Sequence, residues 1–566
     1  MYKNLKKNYP YGEVSFVRDF KQMLNESLTV CEGRPAFMYK KGTDVVEVTY
    51  EQFYKETKAL GSAITNLGFG NRHVAMIGPN SYKYATIYLT MLNSDEGVFV
   101  PIDRELPFEE IMYIINDSNT EVFFYADFYA ENVKKYRDQM PKVKYFVNIE
   151  ANEDESDEFL SYDKLLEKGM KLLDEGYTAY TDMVPVLENM KMIIYTSGTT
   201  GRAKGVMLSL SNMVNMVCYG LQVADVYERC LSVLPYHHTY ELVCNLLVSL
   251  KKGATICINE SIRTVAPNLK LYKPKYVMLV PLYVESFYKK IWANLEDSGK
   301  AGLVRKMIKV SNGLLKVGID VRKKLFGQLH EVFGGQLDKI VCGGAPMREE
   351  VGNFFTSIGV AVLNGYGITE CSPLVAVNRD YFFNFSSVGI KLACLELKID
   401  NPNEDGEGEI CVKGPTVMMG YYNKPELTAE VLVDGWFHTG DYGKIDPADE
   451  RLYITGRKKN LIVLRNGKNI YPEEIEDYLM AAPEIAEVIV SSVKDEDGSE
   501  VALKAEIYPD QDYAKDKSDD EIYAGVKAAV EKINDGLPSY KKVTKVVLRK
   551  EEFEKTTSRK IKRKYN

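Results

Sequence analysis

A run of glycines and hydroxyl side chains near the middle of the chain has the chemistry of a phosphate cradle. The run extends from Tyr195 to Gly201, and Lys204 follows three residues later. Glycines let several backbone N–H groups converge on one anion, while hydroxyls add donors and the lysine adds positive charge. We therefore predict a phosphate-binding loop. Its candidate residues are Thr196, Ser197, Gly198, Thr199, Thr200, Gly201 and Lys204.

The elements around this loop are predicted from apolar patterning. The run 192–194 is typical of a buried strand, and the apolar residues in 213–221 fall on one face of a helix. Strand, loop and helix form the order in which α/β proteins hold phosphates. A P-loop is excluded because Lys204 precedes Gly205 and then a valine. A plain surface turn remains the alternative.

Three strings downstream carry groups that a nucleotide could use. A strand ending at Cys342 runs into paired glycines, which would allow close approach of a flat ligand. In the string 364–373, glycines flank Tyr366, which could stack on a base, and Glu370 could bind Mg²⁺ through oxygen. The third string, Gly435-Trp-Phe-His-Thr-Gly-Asp441, ends in a carboxylate that could accept hydrogen bonds.

Two other enzyme classes, metalloenzymes and serine hydrolases, use residues of these types. A metal site using His238 and Glu241 is conceivable, but no zincin spacing is present. A hydrolase triad could draw on Ser197, His438 and Asp441, but the serine lacks the Gly-x-Ser-x-Gly elbow. Neither pattern identifies its class.

The same strings, in the same order, resemble the motifs of the adenylate-forming superfamily, which includes acyl-CoA synthetases, aryl-CoA ligases and luciferases. The loop matches Tyr-Thr/Ser-Ser/Thr-Gly-Thr-Thr-Gly-x-x-Lys-Gly at every fixed position. The segment 456–475 resembles the family's hinge. The segment 555–561 resembles its terminal lysine element, with Arg559 in place of the usual glycine. The resemblance covers almost the whole chain.

The resemblance implies a role for each matching position. It implies that Asp441 binds the ribose hydroxyls, Arg457 binds ribose and phosphate, and Lys560 is the catalytic lysine. Lys459 would be the hinge. Glu370 and Thr196 would hold Mg²⁺, and His238 and Gly343 would border the acyl substrate. The implied adenine-site positions are Gly344, Ala345, Asn364, Gly365, Tyr366, Gly367 and Thr369.

The implied reaction has two steps and uses ATP, Mg²⁺ and coenzyme A. A carboxylate attacks the α-phosphorus of ATP to give an acyl-adenylate and pyrophosphate, and a thiol then displaces AMP. The strings YGITECSP, LPYHHTYE and KNLIVLRNGKNIYPEEIE resemble the long-chain fatty acyl branch most closely. A medium-chain or aryl acid and an acyl-carrier-protein thiol are the alternatives. A non-catalytic AMP sensor is a third.

Composition narrows the partners and the compartment. The net charge of −8 argues against general nucleic-acid binding, and nine cysteines without a CxxC pair indicate free thiols. We see neither a secretory signal nor a membrane-spanning stretch, so a cytoplasmic protein is predicted. The lysine-rich tail from Lys541 onward could contact a membrane surface.

Alternating strand and helix patterns predict the fold class. These patterns predict a mainly parallel sheet covered on both faces. The resemblance implies a large α/β domain with mainly parallel sheets and a β-rich portion, followed by a small mobile α+β domain. At 566 residues the chain is too long for one core, so two domains are expected. The predicted domains are residues 1–456, for ATP and acyl binding, and residues 457–566, the lid with the hinge and catalytic lysine.

Overall fold

The computed structural model describes residues 4–196, 202–465, 469–495 and 500–555, together with residues 561 and 563. Among these residues the strands, in chain order, are β1 (Pro35–Lys41), β2 (Asp44–Thr49), β3 (His73–Ile77), β4 (Val98–Pro101), β5 (Val122–Tyr125), β6 (Tyr145–Asn148), β7 (Phe159–Ser161), β8 (Met190–Thr196), β9 (Lys204–Ser209), β10 (Arg229–Ser232), β11 (Thr255–Ile258), β12 (Tyr276–Leu279), β13 (Lys339–Gly343), β14 (Ala361–Gly367), β15 (Leu374–Val377), β16 (Ile390–Lys391), β17 (Glu396–Asp400), β18 (Gly408–Lys413), β19 (Gly420–Tyr421), β20 (Leu432–Val433), β21 (Trp436–Ile445), β22 (Leu452–Arg457), β23 (Ile462–Val463), β24 (Asn469–Ile470), β25 (Ile485–Lys494), β26 (Glu500–Pro509) and β27 (Val543–Leu548).

The α-helices of the same ranges are α1 (Phe20–Val30), α2 (Tyr50–Asn66), α3 (Tyr82–Leu92), α4 (Phe108–Asp117), α5 (Ala130–Lys135), α6 (Tyr162–Asp174), α7 (Leu210–Val223), α8 (Val248–Lys251), α9 (Val265–Tyr272), α10 (Pro281–Asp297), α11 (Ala301–Lys316), α12 (Arg322–Leu325), α13 (Gly327–Glu331), α14 (Glu349–Ile358), α15 (Pro425–Val431), α16 (Pro472–Leu479), α17 (Gln511–Ala514) and α18 (Asp519–Asn534). A π-helical segment, Tyr240–Leu247, leads directly into α8. Every helix among the described residues is too short or too polar to cross a bilayer.

Two large sheets form the framework. One has nine strands in the order β16-β15-β14-β13-β12-β10-β11-β1-β2, parallel from β14 to β1 and antiparallel at both edges. The other has eight strands in the order β19-β9-β8-β4-β3-β5-β6-β7. Its strands are parallel from β8 to β7. Helices pack on these sheets, because strands buried on both faces need apolar cover. The predicted α/β class is confirmed.

The β-rich portion and the C-terminal unit are smaller sheets. Strands β17, β18, β21, β20 and β22 form an antiparallel sheet of five. In the C-terminal unit, β25, β26 and β27 form a sheet of three. The strands and helix α18 share an apolar cluster whose buried members run from Ile462 to Val543. This part of the chain therefore has a core of its own.

The predicted strand–loop–helix order around the phosphate loop is wrong. Strand β8 pairs antiparallel with β9, with Thr196 opposite Lys204 at one end and Met190 opposite Ser209 at the other. Val206 and Leu208 are both buried, and this alternation favours a strand. Helix α7 begins only after Ser209, at the far end of the hairpin. The N-terminus of that helix is therefore not at the loop.

The basic tail also contains an element that its composition concealed. Strand β27, Val543–Leu548, pairs in parallel with β26 and packs onto the C-terminal core. The prediction of a membrane-surface patch from Lys541 onward overlooked this strand. Val543, Val546 and Leu548 contribute to that core while Lys545 is exposed, so the lysine does not prevent pairing.

Candidate active site

One large cleft, of about 3600 Å³, collects the predicted site residues. It lies at the ends of β8, β13 and β14 and is closed on one side by β21, β22 and α16. The predicted residues that line it are Thr196, Lys204, His238, Gly344, Ala345, Asn364, Gly365, Tyr366, Gly367, Thr369, Glu370, Asp441, Arg457 and Lys459. Ser197, Gly198, Thr199, Thr200, Gly201 and Lys560 lie outside the described residues.

A lysine, a tyrosine and a glutamate meet at the base of the hairpin. The Lys204 Nζ donates to the Tyr421 hydroxyl at 2.6 Å and lies 3.4 Å from Oε1 of Glu370. The Tyr421 hydroxyl in turn donates to the same Glu370 oxygen at 2.8 Å. Glu370 is buried, and the Lys204 side chain is only 23% exposed. Burial, reinforced by the Glu370 charge, raises the pKa of the Tyr421 phenol far above its usual value, so it is a fixed donor.

The Thr196 hydroxyl is a buried polar atom beside this cluster. Its Oγ1 has no hydrogen-bond partner among the residues that the structure describes. Thr196 stands opposite Lys204 in the hairpin, and Lys204 is the residue that reaches Glu370. A hydroxyl and a carboxylate are hard oxygen donors of the kind that Mg²⁺ prefers. The residues present thus fit a magnesium ion.

A second carboxylate, Asp441, is held between two strings that are distant in sequence. Its Oδ2 accepts a hydrogen bond from the Tyr366 hydroxyl at 2.6 Å, and its Oδ1 lies 3.1 Å from Nε of Arg457. Asp441 and Arg457 are direct cross-strand partners in β21 and β22. The Asp441 backbone N–H donates to the Thr439 hydroxyl at 3.0 Å, which fixes the turn. The carboxylate is 5% exposed, and each of its oxygens can accept a further bond.

Glycines give the cleft its flat wall. Gly344 has φ +89°, a conformation that residues with a Cβ adopt rarely. A Cβ on Gly367 would approach the Pro373 carbonyl oxygen to 2.6 Å. Gly343 lies behind this wall, where a Cβ would be 3.5 Å from the Tyr240 ring. At this point Tyr240, and not Gly343, lines the cleft.

The histidine string contributes a buried and a half-buried ring. The His237 and His238 rings are in contact, with centroids 4.3 Å apart and planes tilted by 52°, and both line the cleft. Burial and the charges of His238 and Arg104 lower the pKa of His237 well below its usual value, so it is neutral. Tyr240 donates to the Val341 carbonyl oxygen at 3.1 Å. Both histidines therefore border the cleft, and His237 carries no charge.

The two alternative chemistries do not assemble among the described residues. Glu241 is buried and its Oε1 accepts hydrogen bonds from Ser232 at 2.5 Å and Asn245 at 2.7 Å. Among the described residues, the one group of three or more side chains placed to hold a metal contains neither His238 nor Glu241. His438 contacts Glu409 at 3.5 Å and Cys411 at 3.4 Å. Both contacts differ from the His–Asp pair that a hydrolase triad requires.

The hinge candidate lies between the two parts of the chain. Lys459 follows β22 in a single 3₁₀ turn that leads to β23. Desolvation at the cleft edge and the cations Arg457 and Lys204 lower the pKa of the Lys459 ammonium. Lys459 therefore lies close enough to Lys204 for the two positive charges to repel each other.

Sequence reasoning missed Tyr421, which bridges Lys204 and Glu370. It stands on the two-residue strand β19, which pairs with β9 at Val206. Nothing in the spacing signals this, since Tyr421 comes 217 residues after Lys204. Its neighbours are a glycine and a second tyrosine, a common surface composition.

The comparison with protein families defines the class. A model described as "AMP-binding enzyme" matches residues 24–422, and one described as "AMP-binding enzyme C-terminal domain" matches residues 459–565. Together the two matches cover most of the chain. The chain belongs to the AMP-binding enzyme family. The predicted membership of the adenylate-forming superfamily is thereby confirmed.

Relatives by sequence are similar along most of their length. The long-chain-fatty-acid–CoA ligase FadD15 of Mycobacterium bovis is 28% identical over 519 residues, which cover 86% of this chain and 84% of the relative. The long-chain-fatty-acid–CoA ligase 5 of Rattus norvegicus is 27% identical over 508 residues, covering 83% and 72%.

Solved structures agree with this fold. The anthranilate CoA ligase AuaEII, solved with anthranoyl-AMP, superposes with a TM-score of 0.77 at 18% identity and covers 97% of this chain and 96% of its own. A fatty acyl CoA synthetase of Mycobacterium tuberculosis gives a TM-score of 0.62 at 23% identity and covers 96% of each chain. These likenesses concern the fold alone.

Proposed function

We propose that the protein is an ATP-dependent acid–thiol ligase. It would activate a carboxylic acid as an acyl-adenylate with release of pyrophosphate, and then transfer the acyl group to coenzyme A. The observation that carries this proposal is the convergence of two fixed groups in one cleft. These are the Lys204–Tyr421–Glu370 cluster and the Asp441–Arg457 pair. The first suits phosphates and the second suits a ribose.

The first step joins two negatively charged reactants, so it needs preorganised positive charge. Glu370 and the Thr196 hydroxyl would hold Mg²⁺, which when bound offsets charge on the phosphates. Lys204 then turns from Glu370 toward the phosphates, since its ammonium is a flexible point charge. Tyr421 keeps Glu370 in place through its hydroxyl. No side-chain nucleophile takes part, because the acid itself attacks phosphorus.

Asp441 and Arg457 would place the nucleotide. The two Asp441 oxygens accept hydrogen bonds from the ribose hydroxyls while keeping Tyr366 and Arg457 as partners. Residues Gly344 to Ala345 and Asn364 to Gly367 form the flat wall against which the adenine would lie. A pre-arranged binding surface of this kind lowers the entropy cost of orienting the α-phosphorus.

The chain would work as two domains, residues 1–456 and 457–566. Lys459 would be the hinge. Lys560 would stabilise the α-phosphate in the first step only, and rotation of the small domain would then clear a path for the thiol. Such hinge residues absorb a large change in φ and ψ.

We propose a long-chain fatty acid as the substrate, with a medium-chain or aryl acid as the alternative. Support comes from apolar residues that line the cleft in two segments, 233–240 and 280–283. These are Val233, Leu234, Tyr240, Val280, Leu282 and Tyr283. The relatives by sequence are named as long-chain ligases, while one solved neighbour is an anthranilate ligase. A mostly apolar lining favours an alkyl chain.

The test is acid-dependent ATP–pyrophosphate exchange, followed by thioester formation with coenzyme A. The panel contains palmitate, octanoate, benzoate and anthranilate, with an acid-free control. We expect exchange with palmitate above all, and palmitoyl thioester when coenzyme A is added. Greatest activity with octanoate or an aryl acid would contradict the long-chain substrate but not the ligase reaction. If none of the acids supports exchange, the proposed ligase activity is contradicted and a non-catalytic AMP sensor is favoured.

A further inference from the structure

Four side chains that can bind a metal share one face of the five-stranded sheet. In the register of β17 and β18, Asp400 stands opposite Glu409, and in that of β18 and β21, Cys411 stands opposite His438. The register shifts between Glu409 and Cys411, but both side chains contact Nδ1 of His438 and so lie on the same side. None of the four is among the residues to which we assign ATP or the acid.

Three of the ligand atoms, those of Asp400, Glu409 and His438, already form a compact group, and the Cys411 sulfur lies next to His438. The Cys411 Sγ is 3.4 Å from Nδ1 of His438, and this nitrogen is 3.5 Å from Oε2 of Glu409. Ligand atoms of Asp400, Glu409 and His438 all lie within 4.8 Å of one another. Around a tetrahedral Zn²⁺ with bonds of about 2.0–2.3 Å, neighbouring ligand atoms are about 3.3–3.6 Å apart. Small side-chain movements would bring the set onto one ion.

A cation already sits against this group. The Lys458 Nζ is 2.8 Å from Oε2 of Glu409, and the Gly440 N–H donates to Oε1 at 3.0 Å. Burial alone would raise the pKa of Glu409, but Lys458 and Gly440 outweigh it and the pKa is lowered. The Glu409 carboxylate is 9% exposed whereas the Lys458 side chain is 56% exposed. An incoming ion could therefore replace the lysine without disturbing a core.

The thiol has to lose a proton for sulfur to bind. Burial, followed by the charges of Glu409 and Asp400, raises the pKa of Cys411 to about 11. A divalent ion reverses the sign of this field, and it deprotonates a coordinated thiol. The proton passes to the solvent on binding, so the charges balance.

We propose that Asp400, Glu409, Cys411 and His438 form a binding site for Zn²⁺, which displaces Lys458 from Glu409. Imidazole, thiolate and carboxylate together are the donor set of zinc rather than of magnesium or calcium. Lys458 immediately precedes Lys459, so binding would release an ion pair that ties the connecting segment to the β-rich sheet. The site is thus placed to act on the movement between the two parts of the chain.

Zinc titration of the full-length, chelator-washed protein tests the site, with a chromogenic zinc chelator as competitor. We expect one ion per chain. His438→Gln and Asp400→Asn should weaken the affinity at least tenfold, while Asp405→Asn, on the exposed turn of the same sheet, should leave it unchanged. Lys458→Met should tighten it about fivefold, because a partly exposed ion pair is worth up to about 1 kcal/mol.

Cobalt in place of zinc tests the sulfur. The wild-type protein should show a thiolate-to-cobalt absorption band that is lost in Cys411→Ser. The proposal is overturned if one ion is not bound per chain, if His438→Gln binds zinc as tightly as wild type, or if the band persists without Cys411. Should His438→Gln fail to fold, the Lys458→Met variant decides, since unchanged affinity there contradicts the displacement.

Discussion

The Tyr366 hydroxyl donates a 2.6 Å hydrogen bond to Oδ2 of Asp441 and so joins the nine-stranded sheet to the five-stranded one. Burial, together with the Asp441 charge, raises the pKa of this phenol far above its usual value. The tyrosine therefore remains a donor at any pH at which the protein is folded. The proposed adenine wall and the proposed ribose carboxylate are consequently one rigid unit.

Removal of the carboxylate should expose its role in nucleotide binding. Asp441→Ala is expected to raise the KM for ATP by tenfold or more, since a hydrogen bond to a charged group is worth about 1.5–3 kcal/mol. It should also reduce the discrimination against 2′-deoxy-ATP, because the lost contact is to that hydroxyl. The measurement is pyrophosphate exchange with each nucleotide. Tyr366→Phe, the matched control, should keep the preference for ATP. An Asp441→Ala enzyme with full preference would contradict the ribose assignment.

The Glu370 carboxylate should matter for rate rather than for folding. Glu370→Ala removes one preorganised charge-stabilising contact, and such losses typically cost about 10²–10³ in rate. We expect this loss in the adenylation step at saturating Mg²⁺, with an unchanged circular dichroism spectrum. Glu426→Ala, an exposed glutamate at the start of α15, is the control and should be fully active. Normal turnover by the Glu370→Ala variant would contradict the proposed role of Glu370 in binding Mg²⁺.

Substitution of the proposed hinge residue, Lys459, and of the terminal lysine, Lys560, should impair opposite half-reactions. Lys459→Pro fixes φ near −65°, so it should retain acid-dependent exchange but lose thioester formation from a supplied acyl-adenylate. Lys560→Ala should show little exchange and near-normal conversion of the adenylate to thioester. Both half-reactions are measured separately on each variant. Loss of the same step in both would mean that one fixed arrangement serves the two reactions.

Glu241 should make stability depend on pH. Burial raises its pKa to about 8, outweighing the hydrogen bonds from Ser232 and Asn245. The folded state therefore keeps a proton that the unfolded state gives up above about pH 4.5. Its stabilising contribution is complete below that value and is lost as the pH rises through 8. The free energy of unfolding should fall by up to about 1.4 kcal/mol per pH unit from this group alone.

The check is urea unfolding between pH 5.5 and 8.5. Glu241→Gln, which cannot titrate, should show a flatter dependence than wild type, whereas Glu426→Gln should follow the wild-type curve. Parallel curves for wild type and Glu241→Gln would mean that this carboxyl is ionised in the folded protein.

Local signals located many elements correctly. Pro281 and Pro472 are the first residues of α10 and α16, a position that proline suits, and the acids Glu473 and Glu474 favour the second start. The short apolar run 122–125 coincides with β5. These features depend on a few neighbouring residues, so the sequence displays them.

Long-range pairings were not visible in the same way. Strand β9 begins at Lys204. Val206 and Leu208 adopt a strand conformation instead of a helical one because they pair with β8. Tyr421 becomes part of the site because β19 docks on β9, a contact across more than two hundred residues. The cleft brings together glycines and acids from five separate strings, and their mutual distances follow from the sheets, not from the motifs.

The separate apolar core of the C-terminal unit has a consequence for how such enzymes diversify. Because its buried side chains pack among themselves, the unit could change its orientation without exposing them to water. The cost of reorientation would then fall on exchangeable surface contacts, such as that of Lys458 with Glu409. Substitutions that reshape the proposed acid pocket around Tyr240 need no matching change in this core. One lid could therefore be inherited intact while the pocket it serves acquires new substrates.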